Sequence, residues 1–196
     1  FATADETQGP NAGFMREQLL RFRQAVADLS PRFPGALRHC ANSAATLRDG
    51  ADVSFDMVRC GIALYGCSPF GDDPADHDLR PVMSLVSRIA SVKTVRSRDS
   101  AGYGRTWRAP RGTRLAIVPL GYADGYARAY ANSAQVLVAG RRVPVVGNVS
   151  MDQIAIDLGP ESTEVPGEPV TLLGADGDER ISAEELAALR GTINYE

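Results

Sequence analysis

Lysine is almost missing from this chain. Of its 21 basic residues only Lys93 is a lysine, so chemistry that needs a side-chain amine has one candidate within these residues. Cysteine is scarce as well. Cys40, Cys60 and Cys67 are odd in number and form no CxxC pair, which favours reduced, mostly buried thiols over a disulfide or a metal site. No apolar run approaches the ~20 residues that a membrane-spanning helix requires, and no signal peptide opens the chain, so a soluble cytoplasmic protein is expected. Positive charge is not in excess either. The net charge is −3, which implies no strongly basic face and removes nucleic acid from the expected partners.

What is present suffices for a folded protein. With 44% hydrophobic and 23% charged residues over 196 positions, the chain can bury one large core or two smaller ones. It starts at Phe1 without a methionine and ends in GTINYE, which reads as a strand under way, so an internal piece of a longer protein is expected.

Two halves differ in pattern. In residues 1–80, strands and helices alternate. Met15, Leu19, Phe22, Val26 and Leu29 recur at spacings of four and three, which predicts a helix over residues 14–29. Asn11 is its expected N-cap, and Pro31 and Pro34 stop it. A short strand over 37–41, a helical turn over 44–48 and a second strand over 57–64 follow. This order suggests βα units with a parallel sheet, the last part of a barrel. The acidic, Pro- and Gly-containing segment 69–81 reads as a linker. From residue 82 onward the signal is β, with strands expected over 84–95, 114–120, 136–138, 143–146, 153–158 and 170–173. A late helix is announced by the capping box of Ser182 and Glu185, with Ile181 and Leu186 as its staple.

The candidate chemistry sits at the ends of these elements. HCANSAATL places Asn42 and Ser43 where a parallel strand meets a helix N-terminus, a ready anion site whose alternative is an ordinary N-cap. VRCGIALYG offers a second turn, with Arg59 at a strand end and Gly61 permitting close approach of a ligand. Adjacent late loops of a barrel commonly share one phosphate site. His39 beside them is either a satisfied core residue or a catalytic group. GYGRTW sets Tyr103 between two glycines, exposing its phenol; as a base it would need cations or hydrogen-bond donors nearby. GYADGY and GNVSMDQ gather Tyr122, Tyr126, Asp124, Met151 and Asp152 at strand ends, as a site wall or as loops capping a sheet. Asp124 also suits an Asx turn, and His77 in the acidic segment is expected to be solvated.

HCANSAATL, MVRCGIALYG, GYGRTW, PLGYADGY, VGNVSMDQ and GTINYE, in this order and spacing, resemble the later half to two-thirds of the alanine racemase family across essentially the whole chain. The resemblance implies an isomerase that uses pyridoxal 5′-phosphate (PLP) to interconvert L- and D-alanine by a two-base mechanism, supplying D-alanine for peptidoglycan. It implies the C-terminal part of a PLP-binding (β/α)8 TIM-type barrel over residues 1–80 and a truncated β-rich domain over 81–196. It also implies a homodimer with shared active sites, and no metal. Ser43, Asn42 and the backbone of Gly61 and Ile62 would then hold the cofactor phosphate. Arg59 would face the pyridine nitrogen, supported by His39. Tyr103 would be the base acting on L-alanine. Met151 would bind substrate through its amide, and Asp152 and Tyr122 would line the entrance.

The family's cofactor-bearing lysine, its carboxylate-binding arginine and its ring-stacking histidine are expected upstream, and a further tyrosine downstream. Lys93, in an alternating strand of the second domain, cannot stand in for the lysine. The chain alone is therefore expected to be inactive. Ser150 stands where the family often has cysteine. The alternatives are a PLP racemase for another amino acid, such as serine or lysine, or a non-catalytic binding or dimerisation module.

Overall fold

The computed structural model describes residues 1–6 and 8–196. It divides into two compact units, Phe1–Val82 with Tyr195, and Met83–Asn194 with Glu196.

In the first unit the four-and-three spacing does produce α1, Phe14–Leu29. Met15 is its buried residue, with Leu19 packed against the same cluster of Ala4, Ala41, Ala44, Ala45 and Val53. The expected cap at Asn11 is corrected. Gly13 occupies the N-cap position and provides no side chain. Asn11 Nδ2 instead donates to Glu6 at 2.8 Å. Two short helices, α2 (Ser43–Asp49) and α3 (Ala51–Ser54), follow.

The strands expected over 37–41 and 57–64 reduce to one parallel bridge, Asn42 to Arg59, with the Arg59 amide donating to the Ala41 carbonyl at 2.9 Å. A parallel strand needs ladder partners, and here a single bridge forms, with one further backbone bond from the Asp56 amide to the Arg38 carbonyl at 3.0 Å. Residues 62–65 coil into a 3₁₀ turn, Ile62–Tyr65.

Segment 69–81 is not a linker. Ser68 and Pro74 are buried, and Phe70 packs against the Ala4–Met15 cluster. His77 is not simply solvated, since its Nε2 lies 3.0 Å from the Asp72 carboxylate and its ring lies 4.9 Å from that of Phe70.

The second unit is built on β-strands: β1 (Leu85–Arg88), β2 (Ser91–Val95), β3 (Ser100–Ala101), β4 (Trp107–Arg108), β5 (Thr113–Val118), β6 (Gln135–Val138), β7 (Arg141–Val146), β8 (Ile154–Asp157), β9 (Pro169–Asp176) and β10 (Glu179–Ile181). The main sheet runs β1-β9-β6-β7-β8-β5-β2, with β10 on β9. Its pairings are antiparallel.

The single strand expected over 84–95 is thus two, one at each end of this order. Only Ile89 and Ala90 join them, and so short a link cannot span an open sheet of this width. The sheet must close on itself. Ile89 donates to Glu168 beside β9 (2.9 Å) and Ala90 to Ile117 in β5 (2.8 Å), which is where the chain changes partner.

Closure gives an enclosed core. Ile89, Val118, Val136, Val138, Val143, Ile154, Ile156 and Leu172 are at most 2% exposed. The alternating apolar runs seen in the sequence supply this core. β6 and β7 are joined through Ala139 and Gly140, with φ of 50° and 73°, the two positive values of a tight hairpin turn.

α4, Ala183–Arg190, starts at Ser182, whose hydroxyl accepts from the Glu185 amide at 3.1 Å. The other half of the predicted box is absent. The Glu185 carboxylate goes to Arg142 on β7, at 2.7 and 3.0 Å. Residues 191–196 form turns rather than the expected strand, with the Glu196 amide donating to Ile193 at 3.2 Å. No helix among the described residues is long and apolar enough to cross a membrane.

Candidate functional site

In the first unit, six of the sequence-nominated residues meet around the Asn42–Arg59 bridge. Asn42 caps α2 through Oδ1, which accepts from the Ala45 amide at 3.0 Å. Ser43 is 4% exposed. Its Oγ accepts from the amides of Gly61 (3.0 Å) and Ala63 (3.4 Å). The two turns read separately in the sequence are therefore one structure, tied by a serine hydroxyl.

The amides of Ala44 and Ile62 find no acceptor among the described residues. Two unsatisfied donors beside a hydroxyl, at the starts of two helical segments, suit an anion. Gly61 adds to this. A Cβ there would meet no protein atom within 4 Å, which leaves room for a ligand to lie against the backbone.

Arg59 extends from the other side of the bridge. Its Nη1 lies 2.8 Å from His39 Nδ1. Arginine can only donate, so Nδ1 is the acceptor and a neutral His39 carries its proton on Nε2. Cys40, next to His39, is buried, and its thiol is pushed up chiefly by burial, with partial opposition from positive charge that includes Arg59. That keeps it a neutral thiol.

In the second unit, Tyr103 opens a 3₁₀ turn between Gly102 and Gly104, whose φ values are 72° and 70°. Its side chain is 76% exposed, as the flanking glycines suggest. Arg105 is turned to Ser100, its Nε donating to Oγ at 2.9 Å.

The GYADGY and GNVSMDQ loops come together. The amides of Tyr122 and Ala123 donate to the carbonyls of Ser150 (3.0 Å) and Met151 (2.9 Å). This contact explains Gly121, where a Cβ would fall 2.3 Å from the Ser150 carbonyl. Asp124 does not make the expected Asx turn; it is the third residue of the 3₁₀ turn and reaches back, accepting from the Gly121 amide at 2.9 Å. Tyr122 and Met151 are exposed at 47% and 56%, and Asp152 is exposed beside them. Tyr126 is not part of this wall. It is 2% exposed and belongs to the core of the unit.

A cavity of about 280 Å³ in this unit is lined by Lys93, Ser100, Gly102, Asn148 and Ser150 among others. No group of three or more His, Cys, Asp or Glu among the described residues could hold a metal ion.

Sequence reasoning passed over Ala63, which shares the Ser43 hydroxyl, and Asn148, whose Nδ2 donates to the Tyr103 carbonyl at 2.8 Å. An asparagine directly after glycine at a strand end was the available signal for the latter.

Comparison with known proteins agrees for both units. Residues 1–69 match the family model described as alanine racemase, N-terminal domain, and residues 82–196 match alanine racemase, C-terminal domain. The chain is similar to the alanine racemase of Syntrophobacter fumaroxidans, 44% identical over 100% of this chain and 51% of the relative. Among solved structures it is similar to the alanine racemase of Bacillus anthracis with bound L-Ala-P. There the TM-score is 0.86 at 40% identity, covering 100% of this chain and 50% of the other. It is also similar to that of Bartonella henselae with covalently bound pyridoxal phosphate (TM-score 0.82, 28% identity, 100% and 51% covered). The chain spans about half the length of the curated relatives it matches. These matches place it in a family whose named members are racemases. It belongs to the alanine racemase family.

Proposed function

We propose that these residues serve a PLP-dependent alanine racemase, which interconverts L- and D-alanine in the cytoplasm for peptidoglycan synthesis. The observation that carries this reading is the joined turn of Ser43 and Gly61, with the Arg59–His39 pair one bridge away. Its unsatisfied amides, its hydroxyl and its open glycine fit a phosphate monoester. Residues 1–80, with a parallel bridge leading into α2, are read as part of a (β/α)8 TIM-type barrel, and residues 81–196 as the β-rich domain.

When bound, PLP supplies an electron-withdrawing ring that makes the α-hydrogen of an attached amino acid acidic. The chain's own residues position and protonate. Ser43, with Asn42 shaping the turn, and the Gly61–Ile62 backbone hold the phosphate. Arg59 would face the ring nitrogen as a donor that keeps its own proton, which would limit electron withdrawal and suppress side reactions. His39 accepts from Arg59 and fixes the guanidinium. Tyr103 takes the α-proton of L-alanine on its phenolic oxygen. The Met151 amide binds substrate, and Tyr122 and Asp152 line its entrance. A homodimer with shared sites is part of this proposal.

The second base, on the D-side, is the family's cofactor-bearing lysine in this proposal, outside residues 1–196. The only lysine, Lys93, is exposed on β2 of the second unit. Residues 1–196 alone are therefore proposed to be inactive.

The test is Tyr103→Phe in the full-length, PLP-loaded gene product. Loss of a general base lowers kcat for L-to-D conversion by ~10²-fold or more, with the PLP absorbance retained. A parental rate would remove Tyr103 from this role. A substrate panel run alongside checks the amino acid: faster turnover of serine or lysine than of alanine would reassign the substrate.

A further inference from the structure

We propose that Asn148, backed by Asn132 and Thr106, is the positioning residue that locks the Tyr103 turn onto the Met151 loop. The inference rests on the reading of Tyr103 as the base.

The turn has little else to hold it. Tyr103 is largely exposed, its neighbours Gly102 and Gly104 both have positive φ, and the flanking strands β3 and β4 are two residues each. Strands that short give an unstable hairpin by themselves.

Asn148 grips both ends of the turn with one amide group. Nδ2 donates to the Tyr103 carbonyl at 2.8 Å, and Oδ1 accepts from Thr106 Oγ1 at 3.4 Å. Asn132 closes the ring from the other side. Its Nδ2 donates to Thr106 Oγ1 at 3.2 Å, and its Oδ1 accepts from the Gly147 amide at 2.7 Å. Asn132 itself takes a left-handed φ of 57°, a conformation that asparagine tolerates.

The backbones are equally close. A Cβ on Gly147 would lie 2.8 Å from the Ala101 carbonyl, and one on Gly102 would lie 3.1 Å from the Asn148 amide. Three residues beyond Asn148, the carbonyl of Met151 accepts from the Ala123 amide. Tyr103, Met151 and Tyr122 thus share one hydrogen-bonded frame, and Asn148 is the side chain that ties the tyrosine into it.

The chemistry of this residue is specific. Tyr103 presents a carbonyl, which needs a donor, and Thr106 presents a hydroxyl, which an acceptor can meet. A carboxamide supplies both. Aspartate, of the same shape, has no donor for the carbonyl and repels it. A displacement of about 1 Å at a reacting group can cost up to ~10²-fold in rate.

The experiment compares Asn148→Asp and the milder Thr106→Val with the parent and with Tyr103→Phe, all as full-length, PLP-loaded protein. Hydrogen exchange over residues 102–106, read by mass spectrometry, should quicken about tenfold in Asn148→Asp, as expected from loss of an anchoring hydrogen bond. kcat for L-to-D conversion should fall about tenfold, with KM within about threefold. The isotope effect should rise for α-deuterated L-alanine and not for the D-enantiomer, an asymmetry that a general loss of stability does not create.

Parental turnover in Asn148→Asp beside an inactive Tyr103→Phe overturns the positioning role and leaves the tyrosine's role standing. Parental turnover in Tyr103→Phe removes the tyrosine's role, and the exchange measurement then decides the clamp by itself: unchanged protection overturns it. If Asn148→Asp does not fold, Thr106→Val, on an exposed side chain, carries the same comparison with smaller effects of the same sign.

Discussion

The two units bury their residues in different currencies. The main core of the second unit is a cluster of valine, isoleucine and leucine with two tyrosines, enclosed by a sheet that closes on itself. The cluster in the first unit consists of four alanines, Met15 and Val53. Alanine buries too little area to add much stability. Phe1, Leu19 and Phe70 pack against it only in part, and polar links are added around it: exposed Arg38 to Asp56 through two side-chain bonds of 2.7 Å, and Arg48 to the Ala4 carbonyl at 2.7 Å. The contrast suits the division of labour. The closed sheet gives the Met151 loop and the Asn148 clamp on the Tyr103 turn a rigid base, whereas the phosphate turn sits in a sparser frame that a bound ligand would order.

The same deletion made in each unit tests this directly. Val136 and Val53 are both 0% exposed. Val136→Ala should destabilise the second unit by about 3 kcal/mol, transfer and cavity costs together, because neighbouring strands on both sides prevent collapse. Val53→Ala, among alanines that can close the gap, should cost the first unit only about 1.5 kcal/mol. Native-state hydrogen exchange resolves the two units separately. Equal costs would mean that the first unit is packed as tightly as the second, and the contrast would fail.

A smaller effect is expected at the ligand turn. Ser43→Ala removes the acceptor for the Gly61 and Ala63 amides together with a hydroxyl facing the proposed phosphate. PLP affinity should fall about tenfold, from loss of one hydrogen bond to a charged group. Protection in the second unit should not move. Equilibrium dialysis of the full-length protein measures the first, and hydrogen exchange the second. Undiminished affinity would take the phosphate away from this turn.

The same contrast explains which features are legible in the amino-acid sequence and which are not. The helix at residues 14–29 announces itself by its periodicity, although only Met15 of that stripe is buried, and the strands of the second unit do so because local periodicity and burial coincide there. The Ser43 turn is legible as a helix start, and its meeting with Gly61 follows only once the parallel bridge forms. The strands expected over 37–41 and 57–64 are not a local property, since a parallel ladder exists only with neighbours. The split of 84–95 is hidden for a similar reason. Both halves are extended, and only the closed sheet decides that one pairs with β9 and the other with β5. Residues 69–81 have a linker's composition yet bury Pro74, because proline and glycine also serve tight packed turns. Tyr122 and Tyr126 show the limit most plainly: four residues apart in one motif, the first is exposed at the loop and the second is sealed in the core.

That sealed tyrosine gives the smallest and most diagnostic change. The Tyr126 hydroxyl has no hydrogen-bond partner among the described residues, and its ring lies 4.7 Å from that of Tyr130. Burial first, then the neighbouring Tyr130 and Glu185, push its ionisation above the ordinary tyrosine range. Tyr126→Phe removes a buried group that gains nothing from being polar, so it should stabilise the second unit by about 1 kcal/mol and leave turnover unchanged. The pH dependence has a definite sign. An unfolded tyrosine ionises near pH 10 and the folded one only higher, so its contribution to stability is intact below about pH 10 and is lost as pH rises beyond it. Phenylalanine carries no such loss. Urea midpoints at about pH 7 and about pH 10.5 should therefore favour the variant at both, and by more at the higher pH. A variant less stable than the parent at both would mean that the hydroxyl is satisfied, by a buried water in the core, and the second unit would then share the polar reliance of the first.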